Sequence, residues 1–158
     1  MEQIDEVSQN LGKKITQNFS KVSDILLNPY NWPLLDSIRQ EICNCILIDS
    51  SQAAVTLTNH LLEKSLKAVL MHNESSNQNY TDASEIEQHF ENMNNQFGNI
   101  VLHKTISACH EKKLITDEQS QKLNKFREIF RNAFGHADPN KELKVTESIP
   151  EILNQIGE

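Results

Sequence analysis

The stretch IDEVSQNLGKKITQNFSKVSDIL, residues 4–26, decides the fold class of this chain. Its apolar residues are Ile4, Val7, Leu11, Ile15, Phe19, Val22 and Leu26. They recur in steps of three or four positions, the spacing that keeps side chains on one side of an α-helix. The pattern lasts for about six turns at 3.6 residues per turn. We therefore predict a long amphipathic helix over this stretch.

The sequence beyond this stretch predicts further helices separated by polar segments. Pro29 and Pro33 end the first helix, because proline lacks a backbone donor and disfavours helix in the preceding residue. The next helices are expected over about residues 34–48, 51–71, 86–112 and 116–134, with a short last helix around 147–156. Gly98 is expected to break or bend the fourth helix, and residues 72–85 are expected to form a long loop.

One apolar face of each helix is expected to form the core. The expected inward residues are Leu35, Ile38, Ile42 and Ile46 in the second helix, Ala54, Leu57, Leu61, Leu66 and Val69 in the third, and Leu123, Phe126, Phe130 and Phe134 in the fifth. The corresponding series in the fourth helix is Ile86, Phe90, Met93 and Phe97. The fifth helix is expected to begin at a capping box, in which Thr116 and Gln119 satisfy each other's free backbone donors.

Composition supports an all-α fold in a single domain over residues 1–158. That length suits one domain with a core, and no linker or internal repeat divides it. Four glycines, four prolines and 37% hydrophobic residues favour helices over a sandwich or barrel. No apolar run approaches the roughly 20 residues that span a membrane, and the first ten residues do not resemble a signal peptide. We expect a cytoplasmic protein that has no membrane partner.

The cysteines and most histidines form no ligand pattern. The chain has three cysteines, Cys43, Cys45 and Cys109, and only the first two are close in sequence. An odd number without a second close pair indicates neither a disulfide framework nor a four-ligand zinc site. Cys43 and Cys45 lie about 200° apart around a helix, so they do not point at one metal ion. The histidines at positions 60, 72, 89, 103 and 110 also lack ligand spacing. We expect buried, structural cysteines and neither a metal site nor a cofactor.

The segment FREIFRNAFGHADPNK, residues 126–141, brings charged and polar residues together at the end of the fifth helix. The simplest interpretation is that the helix stops here. Gly135 would then adopt the left-handed conformation after the last turn, and Pro139 would prevent continuation. Cations in the last turn would interact favourably with the negative end of the helix dipole.

The second interpretation of this segment is a functional site. On a straight helix Asn132 and His136 share a face, whereas Arg131 and His136 are about 140° apart. Arg131 and His136 therefore meet only if the helix unwinds at Gly135, or if residues from two chains converge. Arg127 lies one turn before Arg131, so a cationic strip leads toward the helix end.

Arg131, Asn132, three further residues and His136 form an Arg-polar-x-x-x-His motif late in a helix. In this motif the chain resembles the HEPN superfamily. The upstream stretch AAVTLTNHLLEKSLKAVL, residues 53–70, is also similar to the leucine-rich helix of HEPN domains, where Leu62, Glu63 and Lys67 stand at matching positions. The resemblance covers about residues 50–137 and leaves the first helices and the tail without a counterpart.

This resemblance implies an antiparallel helical bundle that forms a homodimer. It also implies a metal-independent endoribonuclease of the toxin or defence type, with an antitoxin or regulatory protein as a further partner. Arg131, Asn132 and His136 would be the catalytic residues, and RNA would be the substrate. Many members of the superfamily are instead noncatalytic modules that bind nucleotides, RNA or proteins, so this alternative stays open. Members paired with nucleotidyltransferases often carry a tyrosine two residues after the histidine, where this chain has Asp138.

The charge distribution is consistent with an RNA site at the motif. The whole chain has a formal charge of −7, whereas residues 122–144 carry six basic and three acidic side chains, a local excess of +3. An acidic protein binds nucleic acid only through a local basic patch. Arg127, Lys125 and Lys141 are therefore the expected substrate-binding residues. The alternative is that these charges form an ordinary solvated helix face.

Overall fold

The computed structural model describes the backbone of residues 2–76, 78–135 and 139–156, and the side chains of residues 4–76, 78–131, 147–154 and 156. Within these ranges the chain forms seven α-helices and no strand, which confirms the all-α prediction. The helices are α1 (Glu2–Leu27), α2 (Pro33–Leu47), α3 (Ser51–Ser75), α4 (Ala83–Phe97), α5 (Leu102–Glu111), α6 (Asp117–Gly135) and α7 (Pro139–Ile156). No helix in the described part of the chain is long and apolar enough to cross a lipid bilayer.

The helix boundaries differ from the sequence prediction at two places, in the loop before α4 and at the start of α7. The predicted break of the fourth helix at Gly98 is confirmed, because α4 ends before Gly98 and α5 begins at Leu102. A Cβ at Gly98 would lie 2.4 Å from the Asn94 carbonyl oxygen, so this close approach requires glycine. The predicted loop over residues 72–85 is shorter, since α3 continues to Ser75 and α4 starts at Ala83. The last helix begins at Pro139, because the first turn of a helix does not need the donor that proline lacks.

The chain divides into two compact units, which are described separately. The first unit comprises residues Met1–Leu61 and Phe130–Glu158, and the second comprises Leu62–Ile129. The helices α3 and α6 each contribute one part to either unit.

The core of the first unit is built mainly from the second half of α1, from α2, from the start of α3 and from α7. α1 packs against both α2 and α7. The buried apolar side chains are Val22, Ile25, Leu35, Ile38, Ile42, Cys43, Ile46, Ala54, Val55, Leu61, Phe130, Ile149, Ile152 and Leu153. All four inward residues predicted for the second helix are buried, as is Phe130 of the fifth predicted helix. Phe134 was also predicted to face inward, but its side chain lies outside the described residues.

A buried arginine joins the end of α1 to α2. Arg39 is only 4% exposed, and its guanidinium donates to the carbonyl oxygens of Ile25 and Asn28. Its Nε donates to Asp36 Oδ1 at 3.1 Å, and the guanidinium lies over the Tyr30 ring. The carbonyl groups at a helix C-terminus lack helical partners and carry partial negative charge. The buried guanidinium of Arg39 therefore provides hydrogen-bond donors for the free carbonyl groups at the end of α1.

The carboxylate of Asp36 completes this cluster. It accepts hydrogen bonds from the backbone N–H groups of Tyr30 and Trp32 at 2.9 and 3.0 Å. Partial burial acts to raise the pKa of Asp36, but these two donors and Arg39 outweigh burial and hold the pKa below its ordinary value. The hydroxyl of Tyr30 in turn donates to the carbonyl oxygen of Leu153, which ties this turn to α7.

Removing the buried guanidinium is expected to destabilise the fold strongly. Arg39→Ala removes one partner of the Asp36 carboxylate, which keeps its two backbone donors, and one partner of the carbonyl groups at the end of α1, so it should cost about 3 kcal/mol, the lower end for breaking a buried ion pair. Urea denaturation measures this change in the free energy of unfolding. Gln40→Ala, at the exposed neighbouring position, is the control and should change stability by less than about 0.5 kcal/mol. Equal stability of the two variants would contradict the structural role of Arg39.

The core of the second unit lies between the end of α3, α4, α5 and the start of α6. Its buried apolar side chains are Leu62, Leu66, Leu70, Met93, Phe97, Leu102, Ile106, Cys109 and Phe126. The inward prediction is wrong for Val69, which is 39% exposed, while Leu57 of the first unit and Leu123 of the second are half-buried. Ile86 and Phe90 on α4 are also exposed. The first turns of α4 therefore contribute little to this core.

The predicted capping box at the start of α6 is confirmed. The backbone N–H of Thr116 donates to Gln119 Oε1 at 2.9 Å, and the backbone N–H of Gln119 donates to Thr116 Oγ1 at 3.2 Å. Two donors that have no helical partner are thus satisfied reciprocally. This local pair fixes where α6 starts.

Neighbouring residues on α6 are expected to differ sharply in their effect on stability. Phe130 is 2% exposed, so Phe130→Ala removes a buried ring and should lower the free energy of unfolding by about 3 to 5 kcal/mol. Arg131 is exposed, and Arg131→Ala should change it by about 0.5 kcal/mol or less. Thermal denaturation followed by circular dichroism compares the two. An unchanged melting temperature for Phe130→Ala would mean that the wrong face of α6 has been assigned to the core.

Candidate functional site

The first two motif residues lie near the end of a continuous helix. α6 runs without interruption from Asp117 to Gly135, so Arg131 and Asn132 occur in its last two turns. Asn132 is described by its backbone alone, and His136 lies outside the described residues. The helix shows no unwinding up to and including Gly135.

The basic residues before the motif project from the same helix. Arg131 and Lys125 are exposed, while Arg127 is half-buried. Arg127 and Arg131 are four residues apart and therefore lie on one side of α6. Lys141 is the third residue of α7, and its side chain lies outside the described residues.

Arg127 has an incompletely satisfied guanidinium. Its NH2 group lies 3.8 Å from Glu128 Oε1, which is a long ion pair with an exposed carboxylate. Its Nε is buried and has no hydrogen-bond partner among the described residues. Because Nε itself is buried, an acceptor from solution can contact only the exposed part of the Arg127 side chain, which is 29% of its surface. A phosphate oxygen is an acceptor of the right charge.

The interpretation of this segment as a simple helix end is only partly supported. Gly135 is the last residue of α6 and does not follow it, and α6 has no basic residue in its last turn. The predicted interaction between cations in the last turn and the helix dipole is therefore wrong, because Arg131 lies before that turn. Pro139 does not block a helix but begins the next one. The position of Arg131 is thus left without a role in ending the helix.

The cysteines are not arranged for chemistry. Cys43 and Cys109 are buried, as predicted, whereas Cys45 is half-buried. Burial raises the pKa of all three thiols, and that of Cys109 reaches about 11. A thiol with a raised pKa is a poor nucleophile, since the thiolate is the reactive form. In the described part of the chain no group of three potential ligands is placed to hold a metal ion.

A serine and a histidine that sequence reasoning did not connect meet in the second unit. Ser75 Oγ lies 3.3 Å from His89 Nε2, and the ring of Tyr80 lies 5.4 Å from the imidazole. Ser75 Oγ also donates to the carbonyl oxygen of Met71 at 2.8 Å. Because the hydroxyl hydrogen is used there, Ser75 accepts a hydrogen bond from His89 and is not activated as a nucleophile. The contact is a structural link between α3 and α4.

The matching positions in the upstream helix are also engaged in structure. Lys67 forms an ion pair with Glu63 at 2.5 Å and donates to the Gly98 carbonyl oxygen at 2.8 Å. Leu62 is buried. These residues connect α3 to the end of α4 within the second unit, so the part of the candidate site that the structure describes is confined to α6.

Comparison of the chain with protein-family models, with curated proteins and with solved structures finds no match.

Proposed function

We propose that this chain is a metal-independent endoribonuclease whose catalytic residues are Arg131, Asn132 and His136. The observation that carries the proposal is the pair of arginines on one side of α6, nine and five residues before His136 in the sequence. Arg131 is exposed without a role in ending the helix, and Arg127 is half-buried with only a long ion pair to Glu128 among the described residues. Two guanidinium groups one turn apart are suited to the oxygens of a phosphate backbone.

The chemistry follows from the substrate and these side chains. RNA contains its own nucleophile, because the 2′-hydroxyl oxygen can attack the adjacent phosphorus. A base removes the 2′-hydroxyl proton, the P–O5′ bond breaks, and an acid returns a proton to the leaving 5′-oxygen. The products are a 2′,3′-cyclic phosphate and a 5′-hydroxyl. Histidine suits both proton transfers, since its unperturbed pKa is about 6.5.

The arginines and the asparagine have complementary roles in this scheme. Arg131 offers a planar pair of donors to the phosphorane, where negative charge accumulates in the transition state. Asn132 precedes His136 by four residues and would fix the imidazole tautomer or hold a phosphate oxygen. Arg127, Lys125 and Lys141 would bind the flanking phosphates. This local excess of positive charge stands in a chain whose remaining residues sum to −10, so RNA would be attracted to α6 and repelled elsewhere.

The proposal extends to assembly and biological context. A homodimer would bring two motifs together, and a cytoplasmic toxin or defence nuclease of this kind would be held inactive by an antitoxin or regulatory protein. Asp138 replaces the tyrosine that accepts a nucleotidyl group in some HEPN proteins, so inhibition by that modification is not part of the proposal.

The proposal is tested by the ends that the purified protein leaves on RNA. Structured and single-stranded RNAs are incubated with the wild-type protein in excess EDTA, and the fragments are analysed by mass spectrometry. The expected result is cleavage with 2′,3′-cyclic phosphate and 5′-hydroxyl ends. Binding of RNA without any cleavage by a well-folded sample would instead identify the noncatalytic module. Cleavage that leaves 5′-phosphates would rule out attack by the 2′-hydroxyl.

A further inference from the structure

The first half of α1 carries an apolar stripe that the rest of the structure leaves uncovered. Ile4 and Val7 are 70% and 66% exposed, and Phe19 is 53% exposed. Leu11 and Ile15 lie between them on the same side of the helix and are also exposed. We call these five residues the α1 stripe. Further along the same helix, Val22 and Ile25 are fully or almost fully buried. The same apolar periodicity is therefore packed against other helices after Phe19 and exposed before it.

The end of α2 explains where this cover stops. Asn18 donates to the Leu47 carbonyl oxygen at 3.4 Å, and Lys14 Nζ lies 3.7 Å from Asp49 Oδ2. These contacts place the last residues of α2 and its following turn beside residues 14–18 of α1. α2 therefore does not accompany α1 over residues 4–13, which form nearly three helical turns at about 3.6 residues per turn.

We propose that the α1 stripe is the contact surface for a second copy of this chain, paired antiparallel about a two-fold axis at Leu11. The spacing of the stripe is nearly symmetric around this residue. Val7 precedes Leu11 by four positions and Ile15 follows it by four, while Ile4 and Phe19 lie near the two ends. A two-fold axis at Leu11 thus places Val7 of one copy beside Ile15 of the other and Ile4 beside Phe19. A two-fold interface must be self-complementary in this way.

The exposed area matches a small dimer interface. The five side chains of the α1 stripe expose on the order of 500 Å² in each copy, which is at the upper end for the largest apolar patch of a monomeric protein. Two copies would cover about 1,000 Å² in total, the lower limit of a specific interface. The stripe alone is therefore large enough for a reversible dimer.

Charge and shape along α1 favour the same partner and orientation. Residues 4–19 contain two acidic residues, Asp5 and Glu6, and two basic residues, Lys13 and Lys14, so two copies meet there without net repulsion. An antiparallel pair brings the acidic end of one helix toward the basic half of the other, whereas a parallel pair places like charges together. Gly12 borders Leu11, and a Cβ there would meet nothing within 4 Å. This open surface lets the partner backbone approach closely at the axis.

The surface is tested by two matched substitutions on α1. Leu11→Glu places a charge on the proposed axis, whereas Gln9→Glu adds the same charge on the other side of the same exposed helix. Analytical ultracentrifugation measures mass at high micromolar protein concentration, and circular dichroism verifies the helical content of each variant. Wild type and Gln9→Glu should sediment as assemblies of twice the mass of Leu11→Glu. A monomeric wild type, or an unchanged mass for folded Leu11→Glu, would overturn the proposal.

Cross-linking distinguishes the antiparallel pair from a parallel one. Leu11→Cys places two thiols beside each other at the axis and should form a disulfide-linked dimer on mild oxidation, while Ile4→Cys should not. Equal cross-linking at both positions would show a parallel pair and overturn the antiparallel arrangement. The result is independent of the proposed nuclease, because mass and cross-linking are read without RNA. A chain that dimerises through α1 but does not cut RNA refutes only the proposed function.

Discussion

RNA cleavage by the His136→Ala protein is expected to be about 10² to 10⁴ times slower than cleavage by wild type. The physical reason is that alanine neither removes the 2′-hydroxyl proton nor returns one to the 5′-oxygen. Fragment formation is measured in EDTA at enzyme concentrations above that of the RNA, so that the chemical step is observed. RNA affinity should change little, because the proposed phosphate contacts come from arginine and lysine side chains and not from His136.

The control for this loss is a histidine on another helix. His103 is exposed on α5, so His103→Ala removes an imidazole from the surface without touching the motif. Its cleavage rate should equal that of wild type. Loss of activity in both variants would indicate a general effect of removing histidine, and full activity of His136→Ala would exclude His136 as the proton-transfer group.

Local sequence patterns predicted those parts of the fold whose partners are close in the chain. The capping box was confirmed because Thr116 and Gln119 are three residues apart, and their hydrogen bonds form as soon as the helix starts. The buried face of α2 was also confirmed, since a helix with one apolar stripe can bury only that stripe. In both cases periodicity or spacing alone contains the required information.

Contacts between separate elements could not be predicted in the same way. Arg39 is a charged residue in a helix that is otherwise apolar on its inner face, and its acceptors are the carbonyl groups at the end of α1. Ser75 and His89 meet across two helices without any motif that links them. Periodicity also identifies α1 as amphipathic, but it does not show which turns pack against another helix. The exposure of the apolar side chains in the first half of α1 is therefore known only from the structure.

The candidate site illustrates the same division. The sequence identified the motif and placed it late in a helix, and α6 confirms this placement for Arg131 and Asn132. The burial of Arg127 Nε without a hydrogen-bond partner among the described residues depends on the packing around it, which a sequence does not contain. The relation between Arg131 and His136 stays a prediction, because His136 lies outside the described residues.

The relative position of Arg131 and His136 leads to a second prediction, that dimers made from two different inactive variants recover RNA cleavage. Arg131 and His136 would point about 140° apart if a straight helix continued through residue 136, and α6 shows no unwinding up to Gly135. A site assembled across a two-fold axis removes this difficulty, because Arg131 of one copy can face His136 of the other. This motif-facing pair uses a different surface from the α1 stripe, so a chain that forms both would assemble beyond a dimer.

The test uses two inactive proteins, Arg131→Ala and His136→Ala, which are unfolded together, refolded and assayed for RNA cleavage. Random pairing makes about half of the dimers mixed, and each mixed dimer has one site with both an intact arginine and an intact histidine. About a quarter of the wild-type rate should therefore return, whereas each variant refolded alone should stay inactive. A site within one chain predicts no recovery, since neither variant contains both residues. If a purified mixed dimer stays inactive, the composite site is excluded, and Arg131 and His136 can then meet only through a bend in the chain after Gly135.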